Sequence, residues 1–364
     1  MELAPELSCE TQSVKRRHLR ASIIIISYNA KQKLLACLAS VSRCLPVGCE
    51  IIVVDNASSE GNTDAVEGSF RNVTLIRSGE NLGFAAGCNR GARDANGAFL
   101  VFLNPDTLVE PGWLEALVAP FESYDAVGLA TAKILMMYQR DQINACGCNL
   151  HLTGINLCRG LGRPRESYAE AGDVSVISGA AFAIRRELFA KLGGFDEDMF
   201  LYGEDADLSW RARLSGWRTL YTPDSIVFHD YEVRIAPLRM FWNERNRYLM
   251  LLKSLRWPTF LILLPALLLA EVITWGFIVL HDRRNIGNKL RAYRWIMKNW
   301  KTILRKRSAT QKLRAISDRQ LLKSTVYSLD FSQPAGGSAA MVARLILNPV
   351  FFALRGVTLA LVWW

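Results

Sequence analysis

Residues 201–217, LYGEDADLSWRARLSGW, place three carboxylates within four positions: Glu204, Asp205 and Asp207. A carboxylate can take a proton from an attacking hydroxyl, hold a hard cation, or stand in the first turn of a helix and offset its macrodipole. The spacing also pairs Asp207 with Arg211 at i,i+4, which favours a helix. Chemistry and helix initiation thus claim the same residues, and the surrounding sequence has to separate them.

A further acidic position lies upstream, in FLNPDT. Phe102 and Leu103 end an apolar run, after which Asn104 and Asp106 stand at i and i+2 around Pro105. One carboxylate and one amide oxygen can hold a divalent ion that keeps waters and diphosphate oxygens, although N-P-D is also ordinary turn chemistry. The segment ENLGFAAGCNRGA, 80–92, is glycine-rich where a helical pattern starts, so amides near Gly83 could face an anion. It has neither the G-x-G-x-x-G of a dinucleotide site nor the G-K-[ST] of a P-loop. Close helix–sheet packing accounts equally well for Gly83 and Gly87.

The elements that must carry these groups alternate. SIIIIS (22–27), EIIVVDN (50–56), VTLIRS (73–78), GAFLVFLNPD (97–106) and DAVGLA (125–130) read as strands, and the first two are continuous β-branched runs suited to a buried parallel sheet. Helical patterns lie between them, at Lys33–Cys44, NTDAVEGSF and AAGCNRGARDA. Repeated strand–helix–strand units predict an α/β fold, a mixed but mostly parallel sheet sandwiched by helices. Ligands of such sheets sit at the carboxyl ends of the strands. Tyr28-Asn29, Asp55-Asn56 and Asn104-Pro105-Asp106 occupy those ends and converge on one rim. Residues 131–175 carry no pattern beyond a loop or irregular strands near an acceptor.

Six pieces follow one another across residues 22–230: ISYN, IIVVDNAS, NLGFAAGCNRG, FLNPDT, SGAAFAIRRELFAKLGGFDEDMFLYGEDADLSWRARLSGW and SIVFHD. This ordered set resembles the family 2 glycosyltransferases of the GT-A fold, in particular their bacterial rhamnosyltransferase-like branch. The resemblance implies a Rossmann-like GT-A domain that transfers a sugar from a nucleotide donor with inversion. Tyr28 and Asp55 then match the contacts to the nucleotide base, with Asp55 accepting from a pyrimidine N3–H. Asn29, Asn56, Gly83, Asn104 and Gly179 belong to the implied nucleotide-sugar surface. Asp106 matches the last residue of the family's DXD motif, a ligand of a divalent cation (Mg or Mn) and of the diphosphate; Asn104 stands where that motif begins with Asp. His229 matches a histidine that joins the metal site in some relatives, and a lone histidine after an apolar strand can equally be structural. Asp205 takes the place of the catalytic base, with Glu204 beside it, and a helix N-terminus would lower the carboxylate's pKa and keep it ionised. GGFDEDMF, 193–200, would form the loop ahead of that helix and shape the acceptor side.

The charge is divided along the chain. Residues 234–364 hold 22 Lys/Arg and five Asp/Glu, a net of +17, whereas residues 1–233 hold 22 and 29, a net of −7. Such a basic tail seeks an anionic surface, and its apolar stretches favour membrane over nucleic acid. PTFLILLPALLLAEVITWGFIVL, 258–280, is long enough to span a bilayer, but Pro265 and Glu271 interrupt it and basic segments flank both ends. Apolar residues recur at 290, 293, 297, 300 and 304 with Lys and Arg opposite, the pattern of an in-plane helix on anionic lipid. The expected organisation is a flexible 1–20 without a signal peptide, a GT-A domain over 21–233 and a helical membrane-associating region over 234–364. That region is expected to hold the protein on the cytoplasmic face of the membrane, as a monotopic or re-entrant anchor, with a single spanning helix as the alternative. The resemblance adds dTDP-rhamnose as the leading donor and a glycan on a polyprenyl diphosphate as acceptor, in cell-surface polysaccharide synthesis. The eight cysteines form no CxxC and suit buried free thiols in a reducing compartment. A nucleotidyltransferase would need a glycine-rich basic loop after the first strand, where this chain has SYNAKQK. A catalytically dead scaffold fits poorly with Asp55, Asp106 and Asp205 all in place.

Overall fold

Side-chain alternation in the isoleucine run sets the architecture. The computed structural model of the chain describes residues 21–59, 62–231, 238–329, 341 and 343–364. The expected flexible segment 1–20 and the expected domain boundary at 233/234 lie outside the described residues. In chain order the first half runs β1 (Ala21–Ser27), α1 (Lys31–Arg43), β2 (Glu50–Asp55), α2 (Asn62–Ser69), β3 (Val73–Arg77), α3 (Gly83–Arg93), β4 (Phe99–Leu103), β5 (Thr107–Val109), α4 (Trp113–Ser123) and β6 (Val127–Met136). It continues with β7 (Ile143–Ala145), β8 (Cys148–Leu150), β9 (Asn156–Cys158), β10 (Gly172–Asp173), β11 (Ala181–Arg185), α5 (Arg186–Leu192), α6 (Glu204–Leu214) and β12 (Arg218–His229). Helices follow: α7 (Arg239–Ser254), α8 (Trp257–Ile262), α9 (Leu264–His281), α10 (Ile286–Lys298), α11 (Trp300–Lys312), α12 (Asp318–Lys323) and α13 (Asn348–Leu361).

The main sheet has the order β10-β12-β6-β11-β4-β1-β2-β3, with β5 on β12 and β7 on β6. Strands β3, β2, β1 and β4 are mutually parallel, and β11 enters antiparallel between β4 and β6. Ile23, Ile25, Ile51 and Val53 pack with Leu34, Leu38 and Val41 of α1 on one face. Ile24, Ile26, Ile52 and Val54 pack with Ala85 and Cys88 of α3, and with Leu208 of α6, on the other. Period-two alternation buried on both faces is what a continuous apolar strand requires, and it yields the expected helix–sheet–helix sandwich. The strand order reverses between β1 and β4, so the carboxyl ends of these two strands form the switch point where a ligand fits. Residues 131–175, unreadable from sequence, supply the rest of β6 and the short strands β7 to β10.

The C-terminal helices are less separable than the sequence suggested. Leu249, Leu251 and Leu252 of α7 and Ala266, Leu267 and Ala270 of α9 share one apolar cluster with Met199, Ala206, Trp210 and Leu214 around α6. Charges tie the same helices together. Lys253 reaches Asp207 at 2.7 Å and Asp196 at 2.5 Å, and Asp207 also pairs with Arg211 at 2.7 Å, all four side chains being nearly inaccessible. The 290–304 stripe is not one helix but two, α10 and α11, which break at Asn299. Leu290, Met297, Trp300 and Leu304 are nevertheless exposed on them, and Ile303 turns into the core. Among the described residues one helix, α9, is long and apolar enough to cross a bilayer by length and composition. Its Glu271 is held from the side by Arg247 of α7 and Lys289 of α10.

Removing one partner from a buried ion pair leaves an uncompensated charge, which costs about 3–5 kcal/mol. Lys253→Met retains much of the side-chain volume but withdraws one cation from both Asp207 and Asp196. Urea unfolding is expected to show a loss of about 3 kcal/mol; a loss below about 1 kcal/mol, the range of surface pairs, would show that Lys253 does not clamp α6.

Candidate active site

The register of β12 against β5 builds the first half of the site. His229 pairs with Thr107, which sets the imidazole beside the residue just before the strand, Asp106. The turn that precedes β5 is closed by the Thr107 hydroxyl donating to the Asn104 carbonyl at 2.7 Å. The Asp230 amide donates to the Asp106 carbonyl at 3.0 Å. His229 Nε2 then lies 3.4 Å from Asp106 Oδ1, while Nδ1 faces Asn144 Oδ1 at 3.0 Å. Burial alone would raise the Asp106 pKa, but the His229 contact and the Lys33 charge outweigh it and hold the carboxyl below its usual range.

The second half comes from α6. Gly203 takes a left-handed φ of 84° and starts the helix without a side-chain cap. Glu204, Asp205 and Asp207 then diverge. Asp207 is fully buried between Arg211 and Lys253, so it is a structural ion-pair partner. Burial, and then the neighbouring Asp205 charge, pushes Glu204 up to about 8, and its Oε2 is buried without a partner among the described residues. Asp205 is partly exposed. Burial pushes it up to about 6, against hydrogen bonds from the Ala206 and Gly179 amides. The expected lowering by the helix N-terminus is therefore overturned. Dipole effects amount to about 0.3–1 kcal/mol, less than one pKa unit, whereas desolvation moves buried acids by up to about 3–5 units.

One segment joins the two halves. The Asn104 amide donates to the Ala180 carbonyl at 2.9 Å, at the start of the β4–β11 ladder. A Cβ built on the adjacent Gly179 would meet Asp205 Oδ2 at 3.4 Å. Ser209, one turn beyond Asp205, fixes this segment by accepting from the Ile177 amide at 3.2 Å and donating to the Asp205 carbonyl at 2.7 Å. Thr131 accepts from the Ser178 amide at 3.0 Å. The Asn104–Asp106 turn and Asp205 thus flank the same short stretch of backbone, 178–180.

The other expected donor residues line the neighbouring strand ends. Asp55 is buried at the end of β2, and its Oδ1 has no partner among the described residues, as an acceptor awaiting a ligand N–H would be. Tyr28, directly after β1, is half exposed. Asn29 instead pins a loop: with φ 49° it accepts from the Ser59 amide at 2.9 Å and its own amide donates to Ser58 Oγ. Asn56 is likewise spent within the fold, donating to Asn81 Oδ1 and the Gly83 carbonyl and accepting from the Leu82 amide. The Gly83 amides do not face an anion. Gly83 N–H donates to Asn81 Oδ1 at 2.9 Å, and the Phe84 and Ala85 N–H groups both go to the Phe200 carbonyl. Gly83 serves close packing, since a Cβ there would stand 2.5 Å from the Phe200 ring.

Sequence reasoning missed the residues of α7 that hold the loop before Asp205. Phe200 and Tyr202 both adopt positive φ, a strained backbone that surrounding contacts must maintain. Arg245 donates to the Asp198 and Met199 carbonyls, and Asn246 to those of Met199, Leu201 and Tyr202. Trp242 stacks on Phe200 at 5.3 Å. The available signal was polar Asn246 and Lys253 recurring at i,i+7 on a face where the helical period calls for apolar residues.

The residues around Asp106 suit a hard divalent cation. Its Oδ1 is buried without a hydrogen-bond partner among the described residues, and an imidazole nitrogen stands beside it. Among the described residues no group of three or more His, Cys, Asp or Glu is placed to hold a metal, so waters and phosphate oxygens would complete the shell. A cavity of about 410 Å³ adjoins Asp106, lined by Gln32, Lys33, Tyr138, Arg140 and Asp230 among others.

Comparison with known proteins agrees with this geometry. Residues 22–193 match the family described as Glycosyl transferase family 2. The chain is 27% identical over 234 residues to the N-acetylglucosaminyl-diphospho-decaprenol L-rhamnosyltransferase of Mycobacterium tuberculosis, covering 57% of this chain and 75% of that protein. It is 30% identical over 202 residues to the Pre-mycofactocin glycosyltransferase of the same species, covering 55% of this chain and 41% of that one. Among solved structures, GalNAc-T7 with UDP, GalNAc and Mn2+ superposes with a TM-score of 0.57 at 19% identity, covering 79% of this chain and 58% of that one. S. aureus TarS 1-349 in complex with UDP-GlcNAc gives 0.55 at 14% identity, covering 94% and 89%. At such identities the structural likeness is one of fold, the GT-A glycosyltransferase fold. Motif order, strand-end geometry and these relatives converge on the match of residues 22–193 to glycosyl transferase family 2.

Proposed function

We propose that the protein is an inverting glycosyltransferase that moves a sugar from a nucleotide donor to a lipid-linked acceptor at a membrane surface. The observation that carries this reading is the partly exposed Asp205 carboxylate held against Gly179, whose neighbour Ala180 accepts from the Asn104 amide of the Asn104–Asp106 turn. In the reaction the acceptor hydroxyl oxygen bonds to the anomeric carbon, the bond from that carbon to the diphosphate oxygen breaks, and the hydroxyl proton passes to Asp205. The nucleoside diphosphate leaves with the bonding electrons. Asp106 and His229 are the residues that would hold Mg or Mn, which when bound neutralises charge building on the diphosphate. Glu204, whose proton is retained up to about pH 8, leaves a single negative charge in the pair. Asp55 and Tyr28 would receive the nucleotide base.

The donor tested first is dTDP-rhamnose, since the similar mycobacterial protein is named for rhamnosyl transfer to a decaprenol-linked sugar. A different hexosyl donor is the second reading, supported by the UDP-GlcNAc of the TarS complex. The acceptor is proposed to be a glycan on a polyprenyl diphosphate, used in cell-surface polysaccharide synthesis. Docking on a membrane surface is supported by the exposed Leu290, Met297 and Leu304 beside the cations of α10 and α11, and the cytoplasmic face is proposed from the positive-inside tendency of those cations. With Glu271 bonded laterally to α7 and α10, α9 reads as a monotopic rather than a spanning element. Single cysteines introduced over 283–323 should then resist an impermeant thiol reagent in intact cells, and labelling from outside would refute the monotopic arrangement.

Two substitutions separate the roles. General-base removal typically costs about 10²–10⁴-fold, so Asp205→Asn should lower kcat by that factor and leave donor Kd within about threefold. Asp106→Ala should instead weaken donor binding in the presence of Mg or Mn by about tenfold or more, equal to about 1.4 kcal/mol. Near-normal turnover in Asp205→Asn would remove the base assignment.

The pH profile carries an independent signature. Asp205 works as the carboxylate and is protonated below about 6, so kcat/KM should fall about tenfold per pH unit on the acid side and level off above pH 7. A profile flat down to pH 5 would contradict this base.

A further inference from the structure

The hairpin of β8 and β9 carries two cysteines that the transfer reaction does not use. Cys148 stands directly opposite Cys158, and both are free thiols. The Arg159 N–H donates to the Gly147 carbonyl at 3.1 Å, while the Cys148 N–H turns the other way, to the Val176 carbonyl at 2.8 Å. Cys148 and Cys158 are therefore a non-hydrogen-bonded antiparallel pair, the class whose Cα atoms approach to about 4.5 Å. A disulfide needs Cα atoms about 4.4–6.8 Å apart and side chains that point to the same side, which opposed residues provide.

The two thiols differ in the way that an attacking and a resolving cysteine differ. Cys148 is buried in the apolar cluster that holds Ala206 and Trp210 of α6, whereas Cys158 is partly exposed. Contact with Cys148 holds the Cys158 thiol below its ordinary value against burial and the Asp205 charge, and Arg239 adds to the lowering. The same contact, burial and the Asp205 charge push Cys148 well above its own. An accessible thiol beside a cation, with a second thiol behind it, is the arrangement of an oxidisable pair. The pair is also wired to the proposed base. Val176, which accepts from Cys148, precedes Ile177, whose amide donates to Ser209, and Ser209 donates to the Asp205 carbonyl.

We propose that Cys148 and Cys158 form a reversible thiol–disulfide site whose oxidised form slows transfer at Asp205. The oxidant is a low-molecular-weight disulfide. The Cys158 sulfur attacks one of its sulfurs, breaks that S–S bond and releases one thiol. The Cys148 sulfur then attacks Cys158, releases the second thiol and leaves the Cys148–Cys158 bond. Both protons and the two electrons depart with the released thiols. Closing the bond brings the Cβ atoms to about 3.8 Å, nearer than the roughly 4.5–5.5 Å of ordinary opposed pairs. Through Val176 that movement reaches the segment against which Asp205 is held, and a displacement of about 1 Å can cost about 10²-fold in rate. The slowing rests on the glycosyltransferase reading above; the disulfide does not.

The test equilibrates the full chain with oxidised and reduced glutathione, alkylates it with N-ethylmaleimide and digests it with trypsin. Cys146, Cys148 and Cys158 fall in one tryptic peptide, 141–159. The expected product of oxidation is that peptide two hydrogens lighter, alkylated only at Cys146, and restored by dithiothreitol. Cys158→Ser and Cys148→Ala should each abolish the bridge, and Cys158→Ser alone serves if the buried Cys148→Ala fails to fold. Donor turnover should fall about tenfold or more on oxidation of the wild-type protein, at unchanged donor Kd, and should not respond in Cys158→Ser. Hydrogen exchange over 176–180 should change on oxidation in the wild-type protein only, a readout that needs no activity. No bridge in fully oxidised glutathione, a bridge made by Cys146, unchanged exchange over 176–180, or undiminished turnover of bridged protein would overturn the proposal. Absence of turnover in the reduced wild-type protein counts against the glycosyltransferase reading, and the peptide map and the exchange then decide the thiol site.

Discussion

The site depends on a carboxylate that does no chemistry. Asp207, fully buried between Arg211 of its own helix and Lys253 of α7, locks α6 against the C-terminal helices. Because Asp207 is two residues beyond Asp205, that lock fixes the rotation of the first turn and therefore the direction in which Asp205 points. Lys253 and Asn246 stand one face and two turns apart on α7, so the helix that neutralises Asp207 also fastens the strained loop at Phe200 and Tyr202. The basic C-terminal region thus helps to frame the candidate site and is also a candidate membrane surface.

Three neighbouring carboxyls acquire three states from their surroundings. Asp207 faces two cations. Glu204 faces the apolar interior beside another acid, and its proton is held. Asp205 keeps one side open and receives amide hydrogen bonds, which limits the rise of its pKa to about 6. A base with that value is ionised at neutral pH yet close enough to it to accept a proton as the new bond forms. Asp106, across the 178–180 segment, is driven the other way by His229 and Lys33. Opposite shifts in two acids on one rim are the electrostatic signature of a divided task.

Much of this was legible in the sequence where the signal is local. The β-branched runs of β1 and β2 announced a buried parallel sheet, and the polar residues at their ends announced its rim. Asp207 with Arg211 was readable as an i,i+4 pair. What escaped reading depends on partners far along the chain. The Gly83 amides could be expected to face an anion only while the Phe200 carbonyl that occupies two of the neighbouring amides was unknown. Strands of two or three residues such as β7 and β10 have too little length to show alternation, and they exist because β6 and β12 offer them edges. The clamp at Lys253 looks unfavourable in a helical pattern until Asp196 and Asp207 are placed opposite it. Helices α10 and α11 read as one stripe because a break at Asn299 does not disturb the spacing of apolar residues.

A crystal structure of the full chain with Mn2+ and a nucleoside diphosphate tests the central claim most directly, through the anomalous scattering of the metal. The account predicts a manganese peak at coordination distance from Asp106, the diphosphate between it and the 178–180 segment, and the Asp205 carboxylate facing the same cleft from the far side. A metal bound elsewhere, or a diphosphate in place with Asp205 walled off from it, would contradict the account.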